Sequence, residues 1–142
     1  METLAQWAYV SSSMVARADF AFEVRRIVLV SRSRNAASLL TGALVSSTTR
    51  FLQYLEGPPD ALATVRAAIS ADARHGDIVT LAERMRGERL FSGWSLAYGG
   101  QTQFGERVID QLLATGLGDP VDRGDRMVLL FRLLCDERRT WA

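Results

Sequence analysis

Phe51-Leu52-Gln53-Tyr54-Leu55-Glu56-Gly57-Pro58-Pro59-Asp60 is the stretch on which the fold turns. Its first half is a short aromatic and aliphatic run that suits a strand, and its second half is a stop followed by a helix start. Proline fits a first helical turn, and Asp60 suits the positive end of the helix dipole. Leu62, Val65 and Ile69 then mark the buried face of a helix ending near Asp72. On the other side, Leu39 to Val45 reads as a strand with Gly42 inside it, and Ser46 to Thr49 as the turn that makes a hairpin with Phe51 to Leu55. Further out, Leu4 to Val10 is a first strand running into a serine cluster at Ser11 to Ser13. Asp19 opens a helix carrying Phe20, Val24, Ile27 and Val28 at helical spacing and ending near Arg34-Asn35. Ile78 to Glu83 and Trp94 to Tyr98 supply a fourth and a fifth strand. The order β-α-β-β-α-β-β is the ferredoxin-like plan with one added strand: an α/β (α+β) fold with a five-stranded mixed sheet and two helices on one face.

The last forty or so residues differ in character. Phe104, Val108 and Leu112 are helix-spaced, Gly116 to Gly124 reads as a loop containing Pro120, and Met127 to Leu134 as a very apolar second helix. Arg138 and Arg139 suit its C-terminal end. This pair is too short to fold alone. The chain is therefore read as a sheet domain over 1–100 and a C-terminal helical extension over 101–142, packing on the open sheet face or on a second copy. A homodimer or higher homo-oligomer is expected.

Composition narrows the function classes. The chain has 142 residues, 48% hydrophobic and 23% charged, which suits one globular domain with a real core. All 17 basic residues are arginine, yet the net charge is only +1, too mild to argue for nucleic acid. A single Cys135 excludes an internal disulfide and fits a reducing cytoplasm. The N-terminus lacks a signal-peptide pattern, and no apolar run reaches the roughly 18–20 residues of a membrane span. His75 is the only histidine, so no histidine-based metal cluster and no Ser-His-Asp triad with a spare histidine can be assembled. Gly99-Gly100 lacks the strand–turn–helix setting of a phosphate loop.

Two polar residues fall at apolar positions. Period-two reading puts Phe51, Gln53 and Leu55 on one strand face, and Trp7, Tyr9 and Ser11 on another. A buried glutamine left unpaired costs roughly 1–3 kcal/mol, and a buried tyrosine hydroxyl also needs a partner. Two readings are open: Gln53 and Tyr9 satisfy each other or a water, or the polar edge of a ligand meets both. Arg74-His75, after the second helix, suits a surface pair that complements the helix dipole. Phe51, Phe91 and Trp94 read as core aromatics.

Six blocks in order carry a resemblance: Ala8-Tyr9-Val10-Ser11, Ser31-Arg32-Ser33-Arg34-Asn35-Ala36, Leu40-Thr41-Gly42, Phe51 to Gly57, Asp72-Ala73-Arg74-His75 and Arg89-Leu90-Phe91-Ser92-Gly93-Trp94. Together, from about Leu4 to Tyr98, they resemble the BLUF family, blue-light sensors that use flavin. The run Gln53-Tyr54-Leu55-Glu56-Gly57 is the most specific. The resemblance implies that Tyr9 donates an electron and a proton to the excited flavin. It implies that Gln53 bridges that tyrosine and the ring and rearranges after excitation, and that Asn35 bonds the polar edge of the isoalloxazine. Arg34 stands where relatives often carry His, Asn or Arg. Ile27 and Leu44 are implied as apolar ring neighbours, Arg74 and His75 as a pair near the flavin and its ribityl side, and Trp94 as part of the signal relay. Leu96 replaces the methionine usual two residues after the tryptophan, which puts transmission through the fifth strand in question. Leu39 stands where relatives often have Gly or a polar residue, and Trp7 is an unusually large neighbour for Tyr9.

FAD is the implied cofactor, with FMN and riboflavin offering the same ring. The expected protein is a short photoreceptor, not an enzyme, that signals to a separate downstream protein or through dimer contacts. Two alternatives stand beside it: a flavin-free BLUF-like interaction module, and a small flavin oxidoreductase, for which no nicotinamide-binding motif is seen.

Overall fold

A computed structural model describes residues 3–99, 106–107, 109–111, 114 and 120–135. Elements follow in the order β1 (Leu4–Ser13), α1 (Phe20–Ala37), β2 (Thr41–Ser46), β3 (Arg50–Gly57), α2 (Pro59–Ser70), β4 (His75–Arg86), β5 (Ala97–Tyr98) and, toward the C-terminus, α3 (Pro120–Leu134). The strands form one mixed sheet ordered β4-β1-β3-β2-β5. β1 lies antiparallel to β3 and β4, while β5 runs parallel to β2. This is the expected α+β plan.

Alternation along the strands builds two cores. Trp7, Tyr9, Leu44, Phe51 and Leu55 point to the face covered by α1 (Phe20, Val24, Val28) and α2 (Leu62, Val65, Ile69). Ala8, Val10, Ala43, Val45, Leu52 and Tyr54 point the other way, where Met127, Val128 and Phe131 of α3 cover them. Each fully buried aliphatic or aromatic side chain contributes roughly 1.5–3 kcal/mol, so each face needs its own lid of helices. Among the described residues no helix is long and apolar enough to cross a membrane.

Five elements differ in extent from the sequence reading. The second strand begins at Thr41, not Leu39. Leu39 adopts φ 59° as the left-handed residue closing α1, with Leu39 N–H donating to the Ala36 carbonyl and Leu40 N–H to the Asn35 carbonyl at 2.8 Å. That pairing is a Schellman helix end, with Leu40 as its buried apolar anchor. The first strand runs through the serines to Ser13, and the fourth extends from His75 to Arg86. His75 is thereby a strand residue paired with Ser13, not part of a helix end at the surface. The fifth strand shrinks to Ala97–Tyr98, because a turn with Gly93 at φ 85° and a Trp94 N–H to Phe91 carbonyl bond takes Trp94 out of it. Finally, Pro120 to Gly124 is helical rather than loop, with Pro120 in the first turn where its missing N–H costs nothing. Phe104, Val108, Leu112, Arg138 and Arg139 lie outside the described residues.

Candidate functional site

A cleft opens between α1 and the C-terminal end of α2, above the sheet. It is narrow, with about 70 Å³ of free space, and opens to solvent. Its floor is the sheet: Tyr9 from β1, Leu44 from β2, and Phe51 and Gln53 from β3. Ile27, Ser31 and Arg34, on one face of α1, form a wall, and Asp72, Arg74 and His75 form the mouth. Strand pairing sets the floor, since Tyr9 is the direct cross-strand partner of Gln53, and Gln53 that of Leu44.

The Tyr9 hydroxyl donates to Gln53 Oε1 at 2.5 Å, and both residues are buried. Burial pushes the Tyr9 phenol far above its ordinary range; the nearby Arg34 cation opposes this and Asp72 adds to it. The phenol is therefore a proton donor at neutral pH, already aimed at an amide oxygen. With Oε1 occupied, the Gln53 amide N–H groups have no protein acceptor among the described residues. Arg34 is an odd wall residue, because desolvation lowers its pKa and its buried Nε has no partner.

His75 is fixed at both ring nitrogens, Nδ1 at 2.7 Å from Ser11 Oγ and Nε2 at 2.7 Å from the Ile69 carbonyl. A carbonyl can only accept, so Nε2 carries a proton, and in the neutral ring Nδ1 accepts from the serine hydroxyl. Arg74 pairs with Asp72 at 2.7 Å and reaches Glu23 at 3.6 Å. Its hydrogen bonds hold the Asp72 carboxyl below the usual carboxylate range.

Asn35 is fully buried but is not among the residues lining the cleft. Its Nδ2 donates to the Ser95 carbonyl at 2.8 Å, and its Oδ1 is buried without a partner. One turn earlier on α1, Arg32 Nε donates to the Leu96 carbonyl at 2.8 Å. α1 thus grips the backbone of the segment entering β5. Leu96 is fully buried in the core beneath α1 and α2. Trp94 packs on Phe91, ring centroids 5.6 Å apart, at the edge of the opposite core. Tyr9, Gln53, Ile27, Leu44, Arg34, Arg74 and His75 therefore converge on the cleft, while Asn35, Trp94 and Leu96 stand around it.

Sequence reasoning missed Ser11, Ser31 and Asp72 as parts of this site, and it assigned no role to Glu56. Glu56 is fully buried on the opposite face. It accepts from Thr41 Oγ1 (2.8 Å), the Tyr54 hydroxyl (3.2 Å), Leu90 N–H (2.7 Å) and Phe91 N–H (2.7 Å). A carboxylate at a strand position bordered by apolar residues was the available signal. Arg132 of α3 bonds the Leu90 carbonyl, so one loop joins the sheet carboxylate to the C-terminal helix.

A flavin ring fits this chemistry. It needs apolar faces, which Ile27, Leu44 and Phe51 supply, and a polar edge of carbonyls, ring nitrogens and an N–H. Arg34 Nε, buried without a partner, is a donor for such an edge, the Gln53 N–H groups are further donors on the cleft floor, and the orphaned Asn35 Oδ1 is an acceptor beside it. Among the described residues no cluster of three or more metal-ligating side chains occurs.

The family model described as BLUF, sensors of blue-light using FAD, matches residues 4–97. The photoactivated adenylate cyclase subunit beta of Euglena gracilis is 33% identical over 95 residues, 66% of this chain. The chain spans only 11% of the length of that curated relative. Among solved structures, BlrB, a BLUF protein in its dark state, is 26% identical with a TM-score of 0.75, over 90% of this chain and 94% of that one. BlrP1, in a structure with FMN and cyclic diGMP, is 28% identical with a TM-score of 0.60, over 92% of this chain and 33% of that one. BlsA in its ground state shares the fold at 20% identity, with a TM-score of 0.72 over 98% of this chain and 91% of that one.

Proposed function

Because the chain belongs to the BLUF family of blue-light sensors that use FAD, we propose that it detects light through the Tyr9–Gln53 pair on the cleft floor. The hydrogen bond between these two side chains is the observation that carries this reading. Bound flavin would supply blue absorption and, when excited, a one-electron oxidant. Tyr9 is the donor: it loses an electron and passes its hydroxyl proton along the existing bond to Gln53 Oε1. A glutamine amide has two hydrogen-bonding ends, so once protonated it can rotate or tautomerise while the backbone hardly moves. The altered amide would present a different pattern to the ring edge, which Gln53, Arg34 and, from beside the cleft, Asn35 would hold, with Ile27 and Leu44 supplying apolar contact. Arg74 and His75 would close the mouth on the ribityl side. FAD is the proposed form; FMN and riboflavin offer the same ring.

The signal leaves through the segment held by Asn35 and Arg32 at one end and by Glu56 and Arg132 at the other. Light biases that segment between two arrangements, and the receiver is a downstream protein or a second copy of this chain meeting the C-terminal region. Trp94 and Leu96 flank it, and no enzymatic turnover is needed. Purified protein should be yellow and show a reversible red shift of its flavin bands under blue light. Tyr9→Phe should keep the flavin and lose the shift; a normal shift in that variant would refute the role given to Tyr9.

A further inference from the structure

Trp7 lies next to Tyr9 in the same core, its ring centroid 4.5 Å from the phenol ring and the planes 31° apart. Rings in such contact exchange an electron readily, and an indole is itself oxidisable. If Tyr9 is the photochemical donor, as proposed above, Trp7 is a second donor directly behind it. The indole is also covered by a charge. The Arg66 guanidinium of α2 sits over the ring, 4.6 Å from its centroid, and Trp7 is only 1% exposed beneath it.

We propose that Arg66 is an electrostatic guard that keeps Trp7 from reducing oxidised Tyr9. The neutral indole is attracted to the cation through its ring face. Loss of an electron turns that attraction into repulsion between two positive charges. Deprotonation offers no escape, because indole Nε1–H donates to Thr80 Oγ1 at 3.0 Å, and a hydroxyl cannot retain the proton. Arg66 Nη2 approaches the same oxygen at 3.4 Å. Glu83 is the anion facing this group from β4; it is held by Arg66 at 2.7 Å, and its side chain is 61% exposed, so water screens its offset. Arg84 turns to the other sheet face, where it bonds Gln6. Even with water-like screening, two unit charges about 4.6 Å apart shift an equilibrium roughly fivefold, and more where water is excluded.

The guard has a purpose in the electron balance. Without it, Trp7 would give one electron to oxidised Tyr9, which would recover its proton from Gln53. The positive hole would rest on Trp7, and the Gln53 amide would return to its starting form before it could rearrange. Light would then be spent without a signal.

The test is where a single oxidising equivalent comes to rest in the dark. The full, flavin-bound chain is oxidised with pulses of the neutral azide radical, and indole and phenoxyl radicals are followed by absorption, with Trp7→Phe partners subtracting Trp94 and Trp141. The ratio of Trp7 to Tyr9 radical should rise at least about fivefold in Arg66→Met, which keeps the covering side chain but removes the charge, and fall back in Arg66→Lys. Equal ratios in the wild type and Arg66→Met would overturn the proposal. Under blue light, Arg66→Met should show an indole radical and a smaller yield of the red-shifted form, both corrected by adding Trp7→Phe. An undiminished yield without an indole radical would also overturn it. A normal light response in Tyr9→Phe would instead remove the donor reading and with it the guard's purpose, whereas the dark partition tests the guard alone.

Discussion

Replacing Glu56 by glutamine changes one oxygen to an NH₂ group in a site that offers almost nothing but donors. Thr41 Oγ1, Tyr54 hydroxyl, Leu90 N–H and Phe91 N–H all converge on the carboxylate, which has no exposure to solvent. The amide can keep one oxygen, and whichever way it turns, its NH₂ faces a backbone N–H that can only donate. One buried N–H left unpaired costs about 1–3 kcal/mol, and the bonds that survive lose the strengthening that a charged acceptor provides. The expected loss is about 3 kcal/mol, a sizeable part of the roughly 5–15 kcal/mol available to a domain. Urea unfolding of the flavin-bound protein should show the midpoint falling by roughly 1–2 M. Thr41→Val, which removes one of the four donors and the acceptor of Arg89 Nη1, should cost less, about 1.5 kcal/mol. The two variants together separate the carboxylate's role as a backbone acceptor from general packing. A Glu56→Gln midpoint within about 0.3 M of the wild type would refute the reasoning.

Three further outcomes follow from local geometry. Leu39 sits at φ 59° and is 65% exposed, so Leu39→Gly should relieve left-handed strain and stabilise by about 1 kcal/mol in thermal unfolding; a destabilised variant would contradict the helix-end assignment. Asp72 is held below its ordinary range by Arg74, so its contribution is present above about pH 4 and is lost as pH falls through the lowered folded value. With the pair partly exposed, Asp72→Asn should cost about 0.5 kcal/mol at neutral pH and progressively less below about pH 4, read from unfolding curves across pH; a gap that widens in acid would contradict it. Tyr9 is shifted the other way: its folded value is raised, so the stability it contributes is full below about pH 10 and declines as pH rises beyond that. Phenolate absorption lost on Tyr9→Phe should therefore be absent until the fold opens, and its appearance near pH 10 in folded protein would count against the buried phenol.

Much of this site was legible because strand alternation is a strict rule. Tyr9 and Gln53 fall at inward positions of adjacent strands, and the register makes them direct partners. The Phe51–Asp60 stretch likewise carries its own strand, stop and helix start. What escaped was set by contacts between distant segments. Trp94 looks like a strand residue, yet the turn at Gly93 and its packing on Phe91 place it on the opposite core. Leu39 looks like the start of a strand and is the end of a helix, because an apolar residue at a left-handed position carries no composition signal. Asn35 reads as a ligand-facing amide, but its donor is already given to Ser95, sixty residues away. Arg66 over Trp7 depends on how α2 lies across β1, which periodicity does not encode.

The central claim is that light acts through the Tyr9–Gln53 pair, and the most direct measurement is the absorption spectrum of the purified chain before and after blue light. The expected result is a flavin spectrum that shifts to the red, recovers in the dark, and no longer shifts in Tyr9→Phe although flavin stays bound. A colourless protein after purification with added FAD, or a full shift without the Tyr9 hydroxyl, would contradict it.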